Sequence, residues 1–291
     1  MGIGYEYLSP TKLDSASGSY FAVPASIILN SDMNEKRVTA FSFFSVRRGL
    51  DCCLTFSLNN IAKWTGRKPN RHENGINDKF AQAIAYMEDE GYITLSGKLG
   101  HTACTDACLN LDRISEECQH NRFAIIYLDE LRKILEYKNP NSKDAFLNCD
   151  VVLLVFAYLR MLIFRRRNKL LPEEINVDGK NDHEYDIERR RTRSPEAYNG
   201  YYCDMADELG MTARTFSKAV EALNDMGLIY SESLPRVKYG DKWKTTHTIF
   251  CNAYKREGSY LLDCGEEYYI SEIERKKNKL NIAEITKKKT G

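Results

Sequence analysis

The sequence predicts a mainly α-helical fold with small β wings (α+β), built from one supersecondary unit that occurs twice in tandem. Three observations predict it: a self-similar segment, a glycine that closes the segment in both copies, and the β-prone runs that follow. Residues 80–93 read FAQAIAYMEDEGYI and residues 216–229 read FSKAVEALNDMGLI, aligned at a constant offset of 136. Phe80 matches Phe216, Ala83 matches Ala219, Ile84 matches Val220 and Met87 matches Leu223. The spacing i, i+4, i+7 sets these apolar residues along one face of a helix. Gly91 and Gly227 then provide the left-handed backbone that ends a helix at no steric cost. YITL follows in the first copy and LIYSE in the second.

In chain order, residues 1–19 read as an N-terminal arm and residues 20–111 as the first unit. FAVP at 21–24 leads a helical segment, and an apolar helix is expected at roughly Arg37–Leu50. IAKWTG at 61–66 matches MADELG at 205–210 at an offset of 144, so the first copy carries eight extra residues between its last two helices, within RKPNRHENGIN. Its wing is the irregular stretch YITLSGKLGHTACTDACLNL. Residues 112–149 form a connector with a helix at Leu128–Tyr137, entered by FAII at 123–126, which echoes FAVP. The second unit covers residues 150–255, opening with an apolar helix at Asp150–Arg165 and carrying an insertion at about 166–198. Its β-prone runs flank the turn-forming Lys238-Tyr239-Gly240-Asp241. Residues 256–291 read as a helical, Lys-rich tail. Two copies fit duplication of one fold, whereas a solenoid needs more repeats.

Composition narrows the classes of function. The 291 residues are 43% hydrophobic and 29% charged, enough to bury a core in each unit and unlike a disordered chain. The net charge of +1 excludes a polycation, so any affinity for nucleic acid must come from a local arrangement of Lys and Arg. The start, MGIGYEYLSPTKLD, has neither the basic nor the apolar region of a secretion signal, and a cytoplasmic location is expected. Val151–Phe164 is too short for a bilayer span and contains Arg160, so it reads as a buried helix, with no membrane partner. Nine cysteines without a secretion signal are expected to be mostly reduced thiols.

The stretch CDMADELGMTARTFSKAVEALNDMGLIY resembles the winged helix-turn-helix family of bacterial DNA-binding proteins. A Leu-Gly ends one helix, a Thr caps the next, and Leu-x-x-x-Gly-Leu-Ile passes into a wing. The resemblance implies two tandem winged helix-turn-helix domains, with the second helix of each motif in the major groove of double-stranded DNA. Thr212 is placed to cap that helix, with Phe216, Val220 and Leu223 toward the core. This leaves Arg214, Thr215, Ser217 and Lys218 facing outward: Arg214 to fork onto guanine, Lys218 to pair with phosphate. Lys242 and Lys244 lie on the second wing strand. In the first unit the expected contacts are Arg67, Lys68, Arg71, Asn77 and Lys79, with Asn70 and Asn74 between them. Cations at a helix opening favour phosphate, as does the helix dipole. The domain order, over roughly residues 20–255, is similar to that of plasmid and mobile-element replication initiators. That likeness implies binding of origin repeats, recruitment of helicase-loading proteins and a monomer–dimer switch. A transcriptional regulator using the same contacts, or a winged-helix module that docks only proteins, fits the same residues.

Other signals point less sharply. His101, Cys104, Cys108, Cys118 and His120 have a spacing that could close a zinc site, but it matches no standard ligand pattern, and small hydrophobic packing explains the cysteines as well. Cys52-Cys53 reads as packing at a helix-to-turn junction. No phosphate-binding G-x-x-x-x-G-K-[ST], no G-x-S-x-G and no His-x-His pair occur, so no catalytic residues and no cofactor are expected.

Overall fold

The computed structural model describes residues 20–29, 34–137, 147–163, 197–233, 236–239, 242–244, 248–252 and 284–286. Helices with small antiparallel sheets make up these spans, an α+β architecture. The elements are β1 (Tyr20–Pro24), α1 (Ala25–Leu29), α2 (Asn34–Arg47), β2 (Cys53–Phe56), α3 (Leu58–Trp64), α4 (Ile76–Asp89), β3 (Ile93–Leu95) and β4 (Thr105–Leu109). Next come α5 (Leu111–His120), β5 (Phe123–Tyr127), α6 (Leu128–Glu136), α7 (Cys149–Leu162) and β6 (Ala197–Gly200). The chain continues with α8 (Tyr202–Glu208), α9 (Ala213–Asp225), β7 (Ile229–Ser233), β8 (Arg236–Tyr239), β9 (Lys242–Lys244), β10 (Thr248–Asn252) and β11 (Glu284–Thr286).

The repeat read from the sequence recurs in the topology. In the first copy α2, β2, α3, α4, β3 and β4 follow one another, and the sheet order is β2-β4-β3. In the second copy α7, β6, α8, α9, β7 and β10 follow in the same sense, with the additional strands β8 and β9 between β7 and β10, and the sheet order is β6-β10-β7. Each time the last strand lies between the other two, antiparallel to both. Strands β2 and β6 were not foreseen. CLTF and AYNG are only four residues long and carry no alternating pattern that distinguishes them from loop. The segments FAVP and FAII are themselves strands, and β1 pairs with β5 antiparallel, Tyr20 opposite Tyr127 and Pro24 opposite Phe123. The connector thus holds β5 and most of α5 besides the expected helix, here Leu128–Glu136. In the expected helical tail, Glu284–Thr286 form a strand on β8, and the rest lies outside the described residues.

Two compact units divide the chain: Met1–Met161 with Ala206–Ala222, and Leu162–Met205 with Leu223–Gly291. In the first, α2 is buried almost throughout. Phe43, Phe44, Phe56 and Trp64 pack edge to face, with Phe44 and Phe56 ring centroids 4.9 Å apart. Helix α7 is buried from Val152 to Met161, as its apolar run requires, and Tyr158 packs against Phe216 at 6.4 Å. Among the described residues no helix is long and apolar enough to cross a membrane. In the second unit β10 is fully buried, Tyr202 packs on Phe250 at 5.7 Å, and β8, β9 and β11 form a separate sheet.

Three buried carboxylates of the first unit each gather polar partners. Glu117 accepts from Ser26 Oγ at 2.6 Å and from the Tyr92 hydroxyl; burial, then the adjacent carboxylate, raises the Tyr92 phenol well above its usual range. Glu130 accepts from Tyr127 N at 3.0 Å and pairs with buried Arg160 at 2.7 Å, tying the start of α6 to α7. The third is Asp150, wholly buried in the first turn of α7. Its carboxylate meets Lys36 Nζ at 2.5 Å, Arg67 at 2.5 Å and Thr39 Oγ1 at 3.1 Å.

Asp150→Asn keeps the shape and removes the anion that both cations face, and an uncompensated buried charge costs about 3–5 kcal/mol. Thermal unfolding followed by circular dichroism should show Tm lowered by roughly 10 °C. An unchanged Tm would mean that the cluster contributes nothing to folding.

Candidate nucleic-acid interface

In each copy a helix pair is closed by two glycines with positive φ. They are Gly66 (71°) and Gly91 (75°) in the first and Gly210 (64°) and Gly227 (65°) in the second. All four make the same pair of backbone bonds. Gly66 N reaches Lys63 O while Arg67 N reaches Ala62 O, and Gly210 N reaches Asp207 O while Met211 N reaches Ala206 O. Gly91/Tyr92 and Gly227/Leu228 repeat it. This is the Schellman closure, in which a residue with a Cβ would be strained at the glycine.

In the second copy the expected helix cap and buried helix face are present. Thr212 Oγ1 accepts from Thr215 N at 3.1 Å, capping α9. Phe216, Ala219, Val220 and Leu223 are buried. Arg214 is exposed, while Thr215, Ser217 and Lys218 are half-buried on the outer side of the first turns. The Thr215 hydroxyl lies 2.9 Å from that of Thr212, and Lys218 pairs with Glu221 at 2.7 Å. Lys242 and Lys244 lie on β9, paired with β8 at Tyr239 and Val237.

The first helix-turn-helix differs in two of its expected contacts. Asn77 is not an outward residue. It is fully buried, donating to Asn59 Oδ1 at 2.8 Å and accepting from Asn70 N at 3.3 Å, and it pins the inserted loop onto the motif. Arg67 pairs with the buried carboxylate of Asp150 at 2.5 Å. Lys68 and Arg71 are exposed on the insertion and Lys79 is half-buried on α4. The insertion is an ordered turn: Asn74 N donates to Asp78 at 3.0 Å and Gly75 N to His72 O at 2.8 Å. A Cβ at Gly75 would meet His72 O at 2.7 Å, so only glycine fits there. Spacing alone cannot tell an asparagine that reads a base from one that staples a loop. The signal for stapling was the run of Asn at 70, 74 and 77, a turn-forming composition.

The cysteines rearrange the remaining reading. Cys53 and Cys108, directly opposite on β2 and β4, form a disulfide, an exception to the expected reduced thiols. Cys108 is thereby withdrawn from the alternative zinc set, Cys118 is buried on α5, and Cys104, His101 and His120 are exposed. Among the described residues no three His, Cys, Asp or Glu side chains group to hold a metal. An open groove of about 1640 Å³ runs beside the disulfide, lined by Phe43, Arg47, Lys63, Trp64, Asp51 and Asp106 among others, and none of the expected DNA contacts lies in it. No protein-family model matches the chain, and no curated protein sequence does.

Two outcomes follow from this geometry. Thr212→Ala should lower stability by about 1 kcal/mol, with Thr212→Ser close to wild type, in urea unfolding. Burial pushes the Cys118 and Cys149 thiols up to about 12, so at pH 8 both are almost wholly protonated. Iodoacetamide at pH 8 should therefore modify exposed Cys104 first and leave Cys118 and Cys149 unmodified until the chain unfolds, as read by peptide mass spectrometry. Early alkylation of Cys149 would contradict this placement.

Proposed function

We propose that the chain binds double-stranded DNA through two tandem winged helix-turn-helix units and acts in the cytoplasm as a replication initiator of a plasmid, phage or integrated element. The observation that carries this reading is the repeated order helix, strand, helix, helix, strand, strand with its last strand central in the sheet. That order supports taking α4 and α9, each with a capped or looped start, as the reading helices of the two repeats. In the second repeat Arg214, Thr215, Ser217 and Lys218 form the contact set of α9, and Lys242 and Lys244 on β9 are proposed contacts of the hairpin β8–β9. In the first, Lys68, Arg71 and Lys79 remain for phosphate. The role in replication rests on the likeness of the tandem arrangement to initiators, whose partners are helicase-loading proteins.

Binding of the wild-type chain to fragmented genomic DNA at two salt concentrations tests the reading. Affinity should fall steeply with salt. Arg214→Ala/Lys218→Ala should lower affinity roughly tenfold or more while leaving Tm near wild type. Enrichment of clustered repeats supports initiation, and a single enriched operator points to transcriptional regulation. Absence of salt-dependent binding refutes the DNA reading and directs attention to protein partners.

A further inference from the structure

We infer that the two helix-turn-helix segments are related by an internal dyad, and that one chain therefore takes a duplex whose two half-sites face in opposite directions. The inference rests on the DNA reading above and names the class of site. All the residues that carry it belong to one compact unit, Met1–Met161 with Ala206–Ala222.

The first observation is the pairing of β1 with β5. FAVP and FAII are equivalent segments, Phe21 to Phe123 and Pro24 to Ile126. Two copies of a strand related by translation run parallel; an antiparallel pair requires a rotation near 180°. The register meets the stricter demand of a dyad. Ala22 faces Ile125, the counterpart of Val23, and Val23 faces Ala124, the counterpart of Ala22. Phe21 faces Ile126 and Pro24 faces Phe123, which are exchanged in the same way. Such reciprocity defines an isologous contact.

The second observation is independent of the strands. Asn34 and Cys149 are the first residues of the equal-length helices α2 and α7. Thr65 and Leu209 are the residues before the matched turn glycines Gly66 and Gly210. Asn34 Nδ2 donates to Leu209 O at 3.1 Å, and Cys149 Sγ donates to Thr65 O at 3.4 Å. Each copy's first helix thus reaches the other copy's helix-turn-helix corner through exchanged partners. The corners that lead into α4 and α9 therefore share the dyad of β1 and β5.

A half-turn that exchanges two DNA-reading helices must also superpose the duplex backbone on itself. For B-form DNA those rotations lie perpendicular to the axis and exchange the strands, which is why operator palindromy mirrors protein twofold symmetry. Here the symmetry lies within one chain. The reading residues differ between copies, Lys79 standing where the second copy has Thr215, so the base sequences of the half-sites differ. The backbone footprint keeps the dyad.

The test is hydroxyl-radical footprinting of the full-length wild-type chain on a duplex selected from a library with roughly 30 random base pairs, two to three turns of DNA. The mass of the complex is measured in parallel. The expected result is one chain per duplex, with protection that reads alike 5′ to 3′ on both strands about a central point. Protection repeated in the same direction along one strand overturns the inference and leaves DNA binding intact. Two chains per duplex overturn it as well, because the symmetry would then arise from dimerisation. Selection of no duplex removes the DNA reading and the inference together.

Discussion

The neutralisation of Asp150 is the constraint on which the first compact unit depends. Burying a carboxylate with no exposed surface is costly without partners, and Lys36 and Arg67 come from two different elements of the first repeat to meet it. The position of Asp150 in the first turn of α7 adds the favourable end of the helix dipole. A hydrocarbon core could supply equal stability. The ion cluster adds direction, since only an arrangement that brings both α2 and the inserted loop to the start of α7 satisfies the charge.

Much of the fold was legible because it obeys local rules. Phe80, Ile84 and Met87, with their counterparts Phe216, Val220 and Leu223, mark a helix face that is buried in both copies. Gly91 and Gly227 mark the helix ends, and Thr212 its cap. The short strands β2 and β6 were not legible, since four residues carry too little periodicity and their partner β-strands lie tens of residues away. The cross-strand disulfide depends on that same unread pairing. Asn77 and Arg67 were misplaced for a related reason. Their types suit a nucleic-acid surface, and only tertiary contacts with Asn59, Asn70 and Asp150 reveal that they are engaged within the fold.

The charge of the chain bears on how the proposed interface can work. With 42 basic and 41 acidic residues, long-range attraction to DNA is weak, and cations matter only where they lie at a helix start or on a hairpin. The two copies differ here. The second presents Arg214 one residue into a capped helix, where orientation is fixed by Thr212. The first carries its exposed cations, Lys68 and Arg71, on an ordered turn beside an acidic residue, Asp78, in the first turn of α4. Base reading therefore falls mainly to the second copy in this proposal, and backbone positioning to the first.

The duplication also solves a problem of exposed backbone. Strands β1 and β5 form a two-stranded sheet and have no other described strand partner, so each would be an open edge without the other. Between separate copies such a contact would depend on concentration. Within one chain it becomes intramolecular, with an effective concentration set by the connector. Once the pairing is intramolecular, the two sides of the dyad are free to differ. They do differ: Asp150 has two cationic partners from the first repeat, whereas Arg67 stands where the second copy has Met211. No mirror of the ion cluster can then form between Glu35 and residue 211. The paired strands and the two helix-corner contacts keep the reciprocity while the side chains around Asp150 abandon it, so the two copies are alike in backbone and unlike in charge.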